Sequence, residues 1–307
     1  MLAVVSPGQG SQSPKMLSTW GDKESLDKIG KFSEIISFDL IDISENYSAE
    51  QIRRTNLSQP LIVTASLVSY LALNLTEEVA KKIIFTGHSV GEFVATALSG
   101  VLSIENVIKL VGLRGSLMEK ASQENNDTGM FAVLGGDKLQ VIKYLNDLGI
   151  TAANVNSQGQ IVAAGTLEKL NKLKESPPEG TRIRPLEVSG AFHTNYMESA
   201  MKSFESSIVD IELFEPVSKI ISNTDGEILT DKNEIVSRLV SQIVSPVRWD
   251  LCQAKMLKMG VTGMLELAPG GTLTGIAKRE IPTIETFAIK TSEDIAAARE
   301  FINKHIE

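Results

Sequence analysis

Apolar runs and polar breaks alternate along this chain in two rhythms. From residue 3 to about 110, short apolar stretches that suit buried strands are separated by longer stretches at helical spacing. A first strand at 3–6 leads into a glycine loop, then helical stretches from about 25 to 75, then a second strand at 82–86. Between about 129 and 190 the period shortens. Strands at 130–134, 151–156, 160–164 and 182–188 are interrupted by helices at 137–148 and 167–175. That order, β-α-β-β-α-β, is the split βαβ of ferredoxin-like units. The longer rhythm then returns, with strands at 219–222 and 263–267 and helices at 232–243 and 273–279. The pattern predicts an α/β protein whose parallel sheet, built from 1–127 and 191–307, carries an inserted ferredoxin-like domain at 128–190. The polar stretch 123–129 is the expected linker into the insert, and Ser189-Gly190 closes it.

Composition narrows the classes. The 307 residues are 42% hydrophobic and 22% charged, ordinary for a globular protein. No apolar run approaches the roughly 18 residues of a membrane helix, and the opening MLAVVSPGQGSQ lacks the basic region of a signal peptide. The expected compartment is the cytoplasm. Cys252 is the only cysteine, so neither an internal disulfide nor a cysteine metal cluster is expected. A net charge of −8 without a basic stripe argues against nucleic acid as a partner. No long exposed apolar face is evident, so a monomer is expected.

The sharpest local signal is Gly87-His88-Ser89-Val90-Gly91. An apolar strand runs into it and a helix, 92–98, leaves it. Strand, Gly-x-Ser-x-Gly turn and helix form a nucleophile elbow, the mark of an α/β-hydrolase-like core. There Ser89 stands at a helix N-terminus, where free N–H groups and the helix dipole favour an anion. A nucleophilic serine needs a base, and the chain holds three histidines. His305 lies at the C-terminus, where chains commonly fray. His88 adjoins the serine in a sharp turn, so its side chain points away and suits a structural hydrogen bond. His193, in Gly190-Ala191-Phe192-His193-Thr194, sits where the insert returns to the larger domain. It is either the general base for Ser89 or a satisfied structural histidine.

Arg114 shares a helical stripe with Leu110, Leu113, Leu117 and Met118. A guanidinium there either snorkels to solvent, pairs with an internal carboxylate, or clamps a substrate carboxylate. The flanking Gly112 and Gly115 would let something approach closely. The loop Pro7-Gly8-Gln9-Gly10-Ser11-Gln12 has neither dinucleotide-fingerprint nor P-loop spacing. At the end of a parallel strand, it can instead aim a backbone N–H at the elbow. With the N–H of Val90 this would complete an oxyanion hole.

Six segments recur in the order of malonyl-CoA:acyl-carrier-protein transacylases of type II fatty-acid synthesis: GQGSQ at 8–12, GHSVGE at 87–92, VGLRG at 111–115, GAFHT at 190–194, SQIVSPVRW at 241–249 and ELAPGGTLTGIAKR at 266–279. The chain resembles this family over nearly its whole length, and its N-terminal stretch is similar to actinobacterial members. The resemblance implies a large α/β domain with a ferredoxin-like insert. It implies that Ser89 carries malonyl as an ester, that His193 is the base and that Arg114 pairs with the malonyl carboxylate. The N–H groups of Gln9 and Val90 would hold the oxyanion, and the backbone carbonyl of Gln242 would orient His193 in place of a triad aspartate. Asn156 would line the pocket, and Phe192 would fill the space an α-methyl group needs. Ala191 stands where many members have proline, and Gly271 doubles Gly270; neither is a proposed catalytic group.

The resemblance also implies a ping-pong exchange from malonyl-CoA to the phosphopantetheine thiol of an acyl carrier protein, with no metal or resident cofactor. An acyltransferase dedicated to polyketide synthesis shares this chemistry, and a serine esterase or thioesterase would share Ser89 and His193. A carrier-docking scaffold without catalysis would lack the nucleophile or the base, and both are present. With an unperturbed histidine as base, transfer should fade below about pH 6.5.

Overall fold

The computed structural model describes residues 1–306. In chain order it runs β1 (Leu2–Ser6), α1 (Lys23–Ile36), α2 (Leu40–Asn46), α3 (Thr55–Ala72), α4 (Glu77–Ala80), β2 (Ile84–Gly87), α5 (Gly91–Leu98) and α6 (Ile104–Glu124). Next come β3 (Thr128–Gly135), α7 (Lys138–Asp147), β4 (Thr151–Ser157), β5 (Gln160–Thr166), α8 (Leu167–Glu175) and β6 (Thr181–Pro185). The chain closes with α9 (Glu198–Ile208), β7 (Lys219–Ile221), β8 (Ile228–Leu229), α10 (Lys232–Ser241), α11 (Trp249–Lys258), β9 (Gly263–Glu266), α12 (Thr272–Glu280), β10 (Glu285–Ala288) and α13 (Ile295–Ile306).

Every side chain of β1 is buried. Leu2 and Val4 enter the core on one face of its sheet, Ala3 and Val5 that on the other. A strand covered on both faces reads as an unbroken apolar run, which is how 3–6 stood out. The sheet has the order β10-β9-β1-β2-β7-β8, parallel except for the last pair. From β1 the chain builds outward through β2, β7 and β8, then returns to place β9 on the other side of β1. Loops leaving the carboxyl ends of adjacent strands diverge at such a reversal and open a crevice.

The second sheet, β4-β5-β3-β6, is antiparallel throughout. Phe131, Val133, Val155 and Ile161 pack from one face onto Val141 and Leu145 of α7 and Leu170 and Leu173 of α8. The other face turns towards the crevice. The sheet is tied to the rest of the chain at Val247, whose backbone bonds to both Ala153 and Val155 at 2.9 Å.

Several sequence expectations shift. The stretch 123–129 is not a linker throughout. Gln123 and Glu124 finish α6, and Thr128 already begins β3. The strand expected to reach 188 stops at Pro185; after one more bond, from the Leu186 N–H to the Met130 carbonyl at 2.9 Å, the chain turns, with the Val188 N–H on the Leu186 carbonyl at 3.0 Å. The helix expected to reach 243 ends at Ser241, so Gln242 is its C-cap. His305 is not frayed; it is 7% exposed in α13, with Nδ1 and the Thr262 hydroxyl 3.0 Å apart. Gly112 and Gly115 do allow a close approach, and what approaches is neighbouring helices. A Cβ on Gly115 would stand 2.8 Å from the Thr55 carbonyl oxygen of α3, and one on Gly112 would meet Ile36 of α1. Among the described residues no helix is long and apolar enough to cross a membrane.

Candidate active site

β1 and β2 run in parallel register, with Ser6 beside Gly87, so the loops that leave them emerge side by side. The β2 loop turns into α5 within a few residues. A Cβ on Gly87 would fall 2.1 Å from the Gly91 carbonyl oxygen, and one on Gly91 would fall 2.2 Å from that of Ser6. No side chain fits at either position. The turn also forces Ser89 to φ 53°, a left-handed conformation that costs about 1–3 kcal/mol for a non-glycine residue. Asn223 holds it there. Its Oδ1 accepts the Ser89 N–H at 2.8 Å, and its Nδ2 donates to the Gly87 carbonyl at 2.6 Å.

His193 is likewise left-handed, at φ 59°. Its Nε2 lies 2.8 Å from Ser89 Oγ and its Nδ1 2.8 Å from the main-chain oxygen of Gln242. A carbonyl can only accept, so Nδ1 carries the proton and Nε2 offers its lone pair to the serine hydroxyl. The Gln242 oxygen is available because the last carbonyls of a helix lack intrahelical partners. Burial and the nearby Arg114 charge push the His193 pKa down to about 3, well below the unperturbed value on which a fade near pH 6.5 is expected.

Arg114 does not snorkel; it is fully buried. Among the described residues no carboxylate touches it. Nη1 donates to Gln59 Oε1 at 2.7 Å and Nη2 to Gln242 Oε1 at 2.9 Å, with Ser89 Oγ at 3.5 Å from Nη2. Nε has no partner among the described residues. Burial lowers the guanidinium to about pKa 9, opposed by the charge of Glu92. It remains a cation at neutral pH.

The backbone N–H groups of Gln9 and Val90 donate to nothing else among the described residues. The Gln9 side chain turns away, towards the Arg53 carbonyl at 3.4 Å. Asn156 Oδ1 lies 2.9 Å from His88 Nε2, which leaves His88 as the structural hydrogen-bonder read from the turn. Gln9, Ser89, Asn156, Phe192 and His193 all face one cavity of about 200 Å³. Its outer wall is the open face of the antiparallel sheet, with Met130 and Val162, and its floor includes Gln59 and Met118.

Three participants escaped the sequence reading. Gln59 sits in α3 among buried apolar neighbours, a lone amide that could have been flagged as costly. Glu92 was quoted within a motif but given no role; buried at the start of α5, its carboxylate is pushed up to about pKa 7 by burial. Asn223 follows β7 with no motif of its own.

Residues 4–296 match the family model of the acyl transferase domain. The malonyl CoA-acyl carrier protein transacylase of Mycobacterium tuberculosis is 42% identical over 96% of this chain and 98% of its own length. The chain belongs to the malonyl CoA-acyl carrier protein transacylase family. The crystal structure of MCAT from the same organism superposes with a TM-score of 0.92 at 40% identity, covering 97% of this chain and 99% of that one. A malonyl-transacylase solved in complex with a type II PKS acyl-carrier protein gives 0.90 at 28% identity, covering 97% of this chain and 99% of that one. Membership of the transacylase family agrees with the six segments read in order from the sequence.

Proposed function

We propose that this protein moves malonyl from malonyl-CoA to the phosphopantetheine thiol of an acyl carrier protein, supplying fatty-acid chain elongation. In the first step Ser89 Oγ attacks the thioester carbonyl while its proton passes to His193 Nε2. The free N–H groups of Gln9 and Val90 stabilise the oxyanion. Collapse breaks the C–S bond, and His193 returns the proton to the departing CoA sulfur. In the second step His193 takes the proton of the carrier thiol, whose sulfur attacks the malonyl ester, and Ser89 Oγ regains a proton. One thioester is exchanged for another, so neither step needs a resident cofactor or metal. Phe192 closes the space beside the acyl group, and Asn156 shapes the pocket through His88.

The observation that carries this reading is Arg114: a buried cation beside Ser89, held by two neutral amide oxygens and in reach of the serine hydroxyl. A malonyl carboxylate needs such a partner, and the acyl group of an ordinary esterase substrate does not. Arg114→Ala should abolish most malonyl transfer while retaining relatively more acylation by acetyl-CoA. Equal losses with both substrates would refute the clamp. A polyketide carrier as acceptor is a second reading, favoured by the likeness to the transacylase solved with such a partner.

The fold names and the compartment belong to the same proposal. Strand order β4-β5-β3-β6 across β-α-β-β-α-β connectivity supports a ferredoxin-like domain at 128–190. The elbow supports an α/β-hydrolase-like core made of 1–127 and 191–307. We place the protein in the cytoplasm as a monomer.

A further inference from the structure

Glu92 does not line the cavity, yet its carboxylate joins the elements that build the site. One oxygen accepts the Asn223 N–H at 2.9 Å, and Asn223 in turn clamps the elbow. The other accepts Nε2 of Gln242. Gln242 is the pivot of the constellation: its main-chain oxygen holds His193, its Oε1 holds Arg114, and its Nε2 also reaches the Ser89 carbonyl at 3.1 Å.

In its ionised form, which the hydrogen bonds from Asn223 and Gln242 favour against burial, Glu92 only accepts hydrogen bonds, and a guanidinium only donates them. Between the two, a glutamine amide has one satisfactory orientation, with NH₂ towards Glu92 and oxygen towards Arg114. We propose that Glu92 is a positioning residue that fixes the Gln242 amide, and through it aims an uncancelled Arg114 charge at the acyl carboxylate. A carboxylate in direct contact would neutralise the guanidinium, whereas one amide away it balances the charge and leaves the cation free for substrate. This inference rests on the reading of Arg114 as the malonyl clamp.

Glu92→Gln tests it. The new amide can accept from Asn223 only by presenting its NH₂ to that of Gln242, so one of the two must turn. A turned Gln242 would point its NH₂ at Arg114. The main-chain carbonyl that holds His193 is not altered. The readout is the ratio of Ser89 acylation rates with malonyl-CoA and acetyl-CoA, followed by intact mass, with Arg114→Ala alongside. The ratio should fall about ten-fold or more in both variants, the scale of a lost charge-assisted hydrogen bond. The double variant Glu92→Gln/Gln242→Glu keeps the number of acids but puts the carboxylate directly on Arg114. Its ratio should stay low.

A normal ratio in Glu92→Gln, with a collapsed one in Arg114→Ala, overturns the role of Glu92 and leaves the clamp standing. A normal ratio in Arg114→Ala overturns the clamp and the proposal with it. A normal ratio in the double variant means that charge count, not the amide spacing, sets selectivity, and also overturns the proposal. Thermal melts accompany each variant; if Glu92→Gln does not fold, the double variant decides.

Discussion

At the carboxyl edge of the six-stranded sheet, Ser89, Glu92, Arg114, His193 and Gln242 are all buried, and two of them hold left-handed backbone. Each is fixed by hydrogen bonds from other elements. The four-stranded sheet is built on another plan. One face packs apolar side chains onto two helices, and the other contributes Met130, Asn154 and Val162 to the cavity wall. The first region stores strain to keep Ser89, His193 and Arg114 in register; the second shapes the space in front of them. Substitutions in the first should therefore cost rate or folding, and those in the wall should adjust binding.

The largest expected effect is on the base. His193→Ala should slow Ser89 acylation by about a thousand-fold or more, read in a single-turnover mass experiment. A loss under ten-fold would move the base elsewhere. Next is Gly91→Ala, whose Cβ would sit 2.2 Å from the Ser6 carbonyl oxygen. It should destabilise the protein by about 3 kcal/mol or more in urea unfolding and abolish acylation as well.

Acid gives a smaller, graded effect. His193 is neutral when folded, with its pKa lowered from 6.5 to about 3, so the unfolded chain binds the extra proton below pH 6.5. Its share of the stability, present above pH 6.5, is lost as pH falls, by about 1.4 kcal/mol per unit. Glu92, raised from 4.5 to about 7, works in the opposite sense and offsets this down to pH 4.5. Acylation by acetyl-CoA, which uses the base but not the clamp, should thus persist below pH 6 and then disappear together with near-UV circular dichroism, while the malonyl preference declines as Glu92 takes up its proton. Loss of acetyl acylation at pH 6.5 with the fold intact would contradict the burial argument. The smallest effect belongs to the wall. Val162→Ala should change KM for malonyl-CoA by up to about ten-fold and leave kcat within a factor of two.

The same contrast explains what could be read from the sequence. In the antiparallel sheet, β3 and β5 are short runs of consecutive buried residues between turns and the helices keep an apolar stripe, so its strands and helices emerged within a few residues of their bounds. The elbow was legible because only glycine fits at 87 and 91, and Arg114 because a cation on an apolar stripe needs a reason. The contact between the Gln242 carbonyl and His193 uses an atom every residue has, so only family resemblance pointed to it. Glu92 escaped because an acid in the first turn of a helix already has an ordinary explanation in the dipole. The edge strands β8 and β10 were missed because one has two residues and the other is half-buried at most, too little for a pattern.

The most direct test of the central claim is the intact mass of the protein after brief mixing with malonyl-CoA, beside a Ser89→Ala control. The account predicts one malonyl adduct, absent in the control and transferable to the thiol of a carrier protein. No adduct, with steady release of free malonate, would contradict it and return Ser89 and His193 to a hydrolase.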